Sequence, residues 1–306
     1  MRLTRRGLFK VALAGAATAT ARAASAREAR EPDPAAVGLL YDSTLCIGCQ
    51  ACVVRCKEVN HLPPVPSHGA QYDAPEDLDG RTKNVIKVAR DGERSAFFKA
   101  QCMHCVDPSC VSVCMLGALH KSVGGIVAYD QSRCIGCRYC QVACPYDVPK
   151  FEWAKLQPKI VKCELCQDRL LEGKLPGCVE VCPRQAVIYG KRSELLTEAH
   201  RRIDETPGRY QPKVFGEHDG GGTQVLYLSA LPFDKLGLPE LGNDAPPRLS
   251  ETIQHGVYRG FIAPAALYTA LGVVVWRNRR HPSPDAPPEH PPAAPGPDDR
   301  PARKQG

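Results

Sequence analysis

Cys46-Ile47-Gly48-Cys49-Gln50-Ala51-Cys52-Val53-Val54-Arg55-Cys56 is the stretch on which the fold turns. It spaces four cysteines as C-x2-C-x2-C-x3-C, with the first three inside seven residues. Reading outward, the same spacing returns at Cys134, Cys137, Cys140 and Cys144, followed by Pro145. Between these groups stand Cys102, Cys105, Cys110 and Cys114, and after them Cys163, Cys166, Cys178 and Cys182. The chain has 16 cysteines, so four complete quartets account for all of them. With aromatics at only 6% of the chain, something besides apolar burial must help hold residues 46–182 together.

A cubane [4Fe–4S] cluster has four irons at the corners of a tetrahedron, each needing one thiolate. Three cysteines within seven residues let one tight loop reach three corners, with Gly48 or Gly136 easing the turn. The fourth cysteine, three residues on and often before a proline, points away and serves a neighbouring cluster. A zinc site uses two separated cysteine pairs and has no use for a third cysteine so close. Disulfides are a second rival in an exported chain. A c-type haem is excluded, because no Cys-x-x-Cys is followed by His. His104, inside its Cys-x-x-Cys pair, reads as a hydrogen-bond donor behind the ligands. Arg55, Lys57, Arg138 and Lys162 beside the motifs are candidate tuners of cluster charge.

The quartets are also repeats. Cys-Ile-Gly-Cys opens the first and third, and Cys-Val-x-Val-Cys closes the second and fourth. The order is A-B-A-B, as if a two-motif unit had been duplicated. Short apolar runs at 38–42, 126–130 and 186–189 predict strands beside the cysteine loops. A helix is expected over 193–204, a strand over 224–230 and a surface loop over 63–84. Gly220-Gly221-Gly222 lacks the following helix and Lys-Ser/Thr of a phosphate loop and reads as an ordinary turn.

The formal net charge of +7 is carried by the ends. Residues 1–30 hold seven Lys/Arg and one acid, residues 277–306 six and four, leaving 31–276 at −1. Such a body lacks the basic face that a nucleic acid requires, so no nucleic-acid partner is expected. Arg5-Arg6 ahead of a weakly apolar, Ala-rich run marks residues 1–26 as a twin-arginine export signal, with small-residue cleavage sites near Ala23 or Ala26. Leu8-Phe9 stand where that signal class usually has Phe-Leu. Gly260–Trp276 carries no charge, and with Val257 and Tyr258 it makes a single membrane span over 257–276. Arg277, Arg279 and Arg280 then stay on the cytoplasmic side, and the proline-rich tail 277–306 is expected to be disordered.

On these motifs the chain resembles the four-cluster ferredoxin-like electron-transfer subunits of membrane-bound oxidoreductases, above all those of uptake hydrogenases. The resemblance extends over Cys102-Met103-His104-Cys105-Val106-Asp107-Pro108, Gly136-Cys137-Arg138-Tyr139-Cys140 and Lys162-Cys163-Glu164-Leu165-Cys166 to the final helix. Met115 departs from it, standing where a proline often follows the last cysteine of its quartet. The implied fold is α+β: a duplicated bacterial-ferredoxin-like domain at 35–190 with four [4Fe–4S] clusters, an extension and membrane-proximal linker at 191–255, and one C-terminal transmembrane helix. The resemblance also implies the ligand sets. Cluster 1 takes Cys46, Cys49, Cys52 and Cys182, and cluster 2 takes Cys56, Cys163, Cys166 and Cys178. Cluster 3 takes Cys102, Cys105, Cys110 and Cys144, and cluster 4 takes Cys114, Cys134, Cys137 and Cys140. Spacing alone leaves open a pairing of first with second group and third with fourth.

The implied role is a non-catalytic, periplasmic wire held in the inner membrane. Its expected partners are the small and large subunits of a nickel–iron hydrogenase and a multi-span membrane subunit that reduces quinone. Service to a molybdopterin enzyme, such as formate dehydrogenase or an oxyanion reductase, is the first alternative. A zinc- or disulfide-braced periplasmic binding module is the remote one. Iron and sulfide analysis of anaerobically purified protein is expected to give about sixteen of each per chain, one iron per thiolate. Stoichiometric zinc with little iron overturns this reading.

Overall fold

The computed structural model describes residues 28–64, 75–153, 155 and 158–280, without the side chains of 254–263 and 278–280. The export signal at 1–26, part of the 63–84 loop and most of the tail lie outside these residues. The chain divides into a compact unit of residues 22–253 and a second unit taking in residues 1–21 and 254–306.

A three-stranded sheet lies at the centre of the first unit. Strand β1 (Val37–Asp42) runs antiparallel to a strand at Val187–Lys191 and parallel to one at Val225–Leu228. The first two of these, and the third, match strands expected from apolar runs. Between them in the chain come α1 (Ala51–Val59), β2 (Asn84–Asp91), β3 (Arg94–Gln101), α2 (Ser109–Ser112), β4 (Leu119–Lys121), β5 (Val127–Tyr129) and α3 (Tyr139–Ala143). Then follow β6 (Lys150–Phe151), β7 (Ile160–Val161), α4 (Gln167–Leu171), α5 (Gly177–Glu180), β8 (Val187–Lys191), α6 (Arg192–Glu205), β9 (Val225–Leu228) and α7 (Pro247–Arg280). β4–β5 and β6–β7 are small hairpins. Residues 191–255, expected as an extension, supply β9 to the central sheet and α6 to its cover. Leu195 and Ala199 of α6 are buried in one cluster with Leu40, Leu226 and Leu228.

The β2–β3 hairpin, Asn84 paired to Gln101 through Asp91 to Arg94, is not anticipated by the motifs. Two tyrosines attach it to the sheet. Tyr41 donates its hydroxyl to Phe97 O at 2.8 Å, and Tyr227 donates to Lys99 O at 2.7 Å. The two rings meet edge-on at 5.5 Å, and Phe98 lies 5.3 Å from Tyr227. Strand alternation then sends Phe98 into this core and turns Phe97, Lys99 and Gln101 to the other face. Phe97 reaches Gly48, where a Cβ would meet its ring at 2.3 Å. Gly48 is thus required both for its φ of +71° and for that close approach.

Helix α7 contains the predicted span. Its side chains from Pro264 to Arg277 are exposed, among them Leu267, Leu271, Val273, Val274, Val275 and Trp276. Among the described residues no helix is long and apolar enough to cross a membrane. Side chains at 254–263, which form part of the 257–276 call, fall outside those residues. The first residues of the tail, 277–280, continue α7 rather than leaving it.

Gly38 of β1 lies where a Cβ would come 1.9 Å from Gln224 O, a backbone atom that cannot swing away. Gly38→Ala is expected to lower stability by about 1–3 kcal/mol through overpacking, read as an earlier midpoint in anaerobic denaturant unfolding. An unchanged midpoint refutes this account of the β1–β9 contact.

Candidate metal centres

The duplication read in the cysteines is repeated in the backbone. In both A motifs the glycine and the residue two beyond it are left-handed: Gly48 (φ 71°) and Gln50 (59°), then Gly136 (70°) and Arg138 (63°). Gln50 and Arg138 are also the N-caps of α1 and α3. In both B motifs the residue before the second cysteine is left-handed, His104 (48°) and Leu165 (55°). A third set lies three residues after a closing cysteine: Gly117 (64°), Asp147 (49°) and Gln185 (49°). Non-glycine residues rarely adopt this region, and holding one there costs about 1–3 kcal/mol. Alternating right- and left-handed residues turn successive N–H groups inward, building the concave donor surface that suits anions and Fe–S sites. Here Gly48 N donates to Cys46 Sγ at 3.5 Å, Leu165 N to Cys163 Sγ at 3.4 Å, Leu119 N to Cys114 Sγ at 3.4 Å and Ala186 N to Cys182 Sγ at 3.3 Å.

The fold gathers the cysteines in interleaved quartets. Cys46, Cys49, Cys52 and Cys182 line one void of about 380 Å³, counted out to its mouth. Cys56 lines a different one, about 330 Å³, with Cys163, Cys166 and Cys178. A void of about 410 Å³ is lined by Cys114, Cys134, Cys137 and Cys140. The remaining four stand together, with Cys105 within electrostatic reach of Cys102, Cys144 and Cys110. Neighbouring quartets also approach one another. Cys52 acts on Cys178, Cys163 on Cys102 and Cys110 on Cys140, so the quartets follow one another as first, second, third, fourth. At the two ends, Cys49 and Cys137 are exposed.

All sixteen thiols are free of disulfides. Among the described residues no set of three or more His, Cys, Asp or Glu side chains is gathered as a metal-ion site of its own. Burial pushes the thiols up, Cys52, Cys110 and Cys140 to about 12 and Cys56 and Cys144 to about 11. Metal binding must therefore displace these protons. Two observations test whether the residues fit [4Fe–4S] clusters. The donor sets are four thiols each, one for every iron of a cubane. His104, fully buried between Cys102 and Cys105, accepts Val127 N at Nδ1 over 3.1 Å, which leaves its proton on Nε2. That N–H has no acceptor among the described residues. Burial first, then the charges of Lys162 and Lys121, hold His104 well below the usual histidine range, so it stays neutral. A buried donor without a partner costs about 1–3 kcal/mol, and a cluster held by Cys102 and Cys105 would offer sulfur as its acceptor. The residues fit.

Of the four charged residues expected as tuners, only Lys162 is both fully buried and among the quartets. It donates to Val127 O and to Cys163 O and acts on Cys110. Arg55 is spent on Glu58 and Glu180 at the surface. Lys57 donates to Pro63 O and Arg81 O, and Arg138 stacks 4.1 Å over Trp153. Sequence reading missed three lysines. Lys83 is held by Glu164 at 2.8 Å beside the second quartet. Lys121 donates to Cys105 O and Gln224 Oε1, both at 2.8 Å, and burial draws it down to about 8. Lys99 is wholly buried. None of the three adjoins a cysteine, so proximity in sequence carried no signal.

Residues 94–192 match the model of a 4Fe-4S dicluster domain. The chain is 41% identical over 326 residues to the hydrogenase-2 operon protein HybA of Escherichia coli O157:H7, covering 94% of this chain and 99% of that protein. It is 35% identical over 244 residues to the formate dehydrogenase-O iron–sulfur subunit of Escherichia coli strain K12, covering 75% and 77%. A protein of Nitratidesulfovibrio vulgaris is 45% identical over 217 residues, covering 69% and 59%. Motifs, interleaved thiols and relatives agree, and the chain belongs to the ferredoxin-like family of [4Fe–4S] electron-transfer subunits of oxidoreductase complexes.

Proposed function

We propose that this chain is a four-cluster wire joining a periplasmic hydrogenase to a quinone-reducing membrane partner. The clusters, when bound, supply one-electron redox chemistry. The residues assigned to them are the four quartets: Cys46, Cys49, Cys52 and Cys182; Cys56, Cys163, Cys166 and Cys178; Cys102, Cys105, Cys110 and Cys144; Cys114, Cys134, Cys137 and Cys140. The observation that carries the reading is their succession from an exposed Cys49 to an exposed Cys137. No thiol of the two interior quartets is exposed, so electrons enter and leave at the two ends. Exposed Ile47 stands beside one end, and exposed Ile135, Met115 and Val142 beside the other, as apolar margins suited to docked subunits.

Hydrogenase is preferred as the electron source because the hydrogenase-2 operon protein matches along 94% of the chain. Service to a formate dehydrogenase is the second reading, favoured by the 35% identity to such an iron–sulfur subunit. The same thiols and buried lysines serve either one. The membrane anchor is assigned to 257–276, where apolar side chains crowd one long helix ahead of Arg277, Arg279 and Arg280. Arg5-Arg6 supports export of the loaded protein by the twin-arginine route, which places the wire in the periplasm.

Cys56→Ser is expected to disturb the cluster assigned to Cys163, Cys166 and Cys178 and to spare the one assigned to Cys46, Cys49 and Cys52. Electron paramagnetic resonance of the reduced protein reads this out, and the reverse pattern overturns the ligand sets. Truncation before Gly256 leaves every thiol in place. Hydrogen-dependent reduction of an artificial dye should persist while quinone reduction falls. Quinone reduction at the full rate would remove the C-terminal helix from the electron exit.

A further inference from the structure

Lys99 is a lysine wholly screened from the surface, with no carboxylate partner among the described residues. It is fully buried on β3, and its ammonium donates to Gln101 Oε1. No ion pair to an acid is formed by it among the described residues. Isolated buried ammonium groups are expensive, and proteins ordinarily neutralise or pair them. Its backbone is fixed as well, since Tyr227 donates to Lys99 O from the most buried part of the core.

Its surroundings identify the missing counter-charge. Lys99 lines the void of Cys46, Cys49, Cys52 and Cys182. Gln101, two residues on and on the same face of the strand, lines the void of Cys56, Cys163, Cys166 and Cys178. With Gln101 Oε1 taken by the ammonium, its Nε2 group is left without an acceptor among the described residues. Cys178, Cys52, Cys163 and Cys56 are the sulfurs within electrostatic reach of Lys99. One of those sulfurs belongs to the first quartet and three to the second. Lys83, another lysine near the second quartet, is already neutralised by Glu164.

We infer that Lys99, held by Gln101, is the fixed counter-cation at the junction of the first and second clusters, raising the reduction potential of both. Each one-electron reduction adds a negative charge to a cluster, and a permanent cation in a low-dielectric site favours the reduced form. Lys99 is a positioning and tuning residue for electron transfer. The inference rests on the cluster assignments above, and iron content tests those separately.

The test is a potentiometric titration followed by electron paramagnetic resonance, on the full-length protein with iron and sulfide measured in each sample. Lys99→Met keeps the length of the stem and removes the charge, and Lys99→Arg keeps the charge. With clusters retained, Lys99→Met should move two of the signals to more negative potential. One of the two should be the signal that Cys56→Ser disturbs, and Lys99→Arg should stay near the parent. If Lys99→Met loses iron while Lys99→Arg retains it at parental potentials, the need for a cation is upheld. Parental potentials in an iron-loaded Lys99→Met protein overturn the inference, and so does iron loss in both variants, which would make the residue a packing element. Zinc in place of iron in the unaltered protein would instead defeat the cluster reading itself.

Discussion

Bringing anionic sulfur into a protein interior demands that opposite charge and N–H donors come in with it. Burial first, then neighbouring thiols, hold Cys52, Cys110 and Cys140 near 12, so a thiolate at these sites exists only against a metal and the groups around it. The backbone answers first, through left-handed residues at equivalent points of each repeat that turn N–H groups inward. Side chains answer second, with Lys99, Lys121, Lys162 and the neutral His104 among the quartets.

Much of the remaining architecture keeps those groups where they are needed. The central sheet contains no cluster ligand. It holds Tyr41 and Tyr227, which attach the β2–β3 hairpin through Phe97 O and Lys99 O. The hairpin in turn brings Phe97 over Gly48 and Lys99 into the first void. The strand β9, more than forty residues beyond the last cysteine, is therefore part of the metal-binding body, as the site of Tyr227. Strain at eight non-glycine left-handed residues is tolerated because hairpin, sheet and ligand loops over-determine the same turns.

The interleaving has a mechanical consequence. Cys56 leaves the first loop for the second void while Cys182 returns from the fourth group to the first. One pair of quartets is stitched together by segments more than a hundred residues apart, whereas the other, crossing at Cys114 and Cys144, joins segments 30 residues apart. Helix α1, which carries Cys52 at one end and Cys56 a turn later, is the rigid spacer between two neighbouring voids.

Local spacing was enough to identify the metal chemistry. Three thiols within seven residues, a fourth three beyond, and the A-B-A-B repetition are short-range facts, and one tight turn of chain can reach three of a cubane's four corners. The strands at 38–42, 126–130 and 186–189 and the helix at 193–204 were legible for the same reason, as runs whose pattern is set by immediate neighbours. What only the tertiary structure decided is which thiols each closing cysteine stands beside and which cation stands near them. Lys99 precedes Cys102 by three residues yet stands among Cys52, Cys56, Cys163 and Cys178, because strand alternation and the two tyrosine contacts turn it toward the other pair. Arg55 and Arg138, adjacent to ligands in sequence, face Glu180 and Trp153 instead. Charge acts through space, and nearness along the chain says little about it until the hairpin has folded onto the sheet.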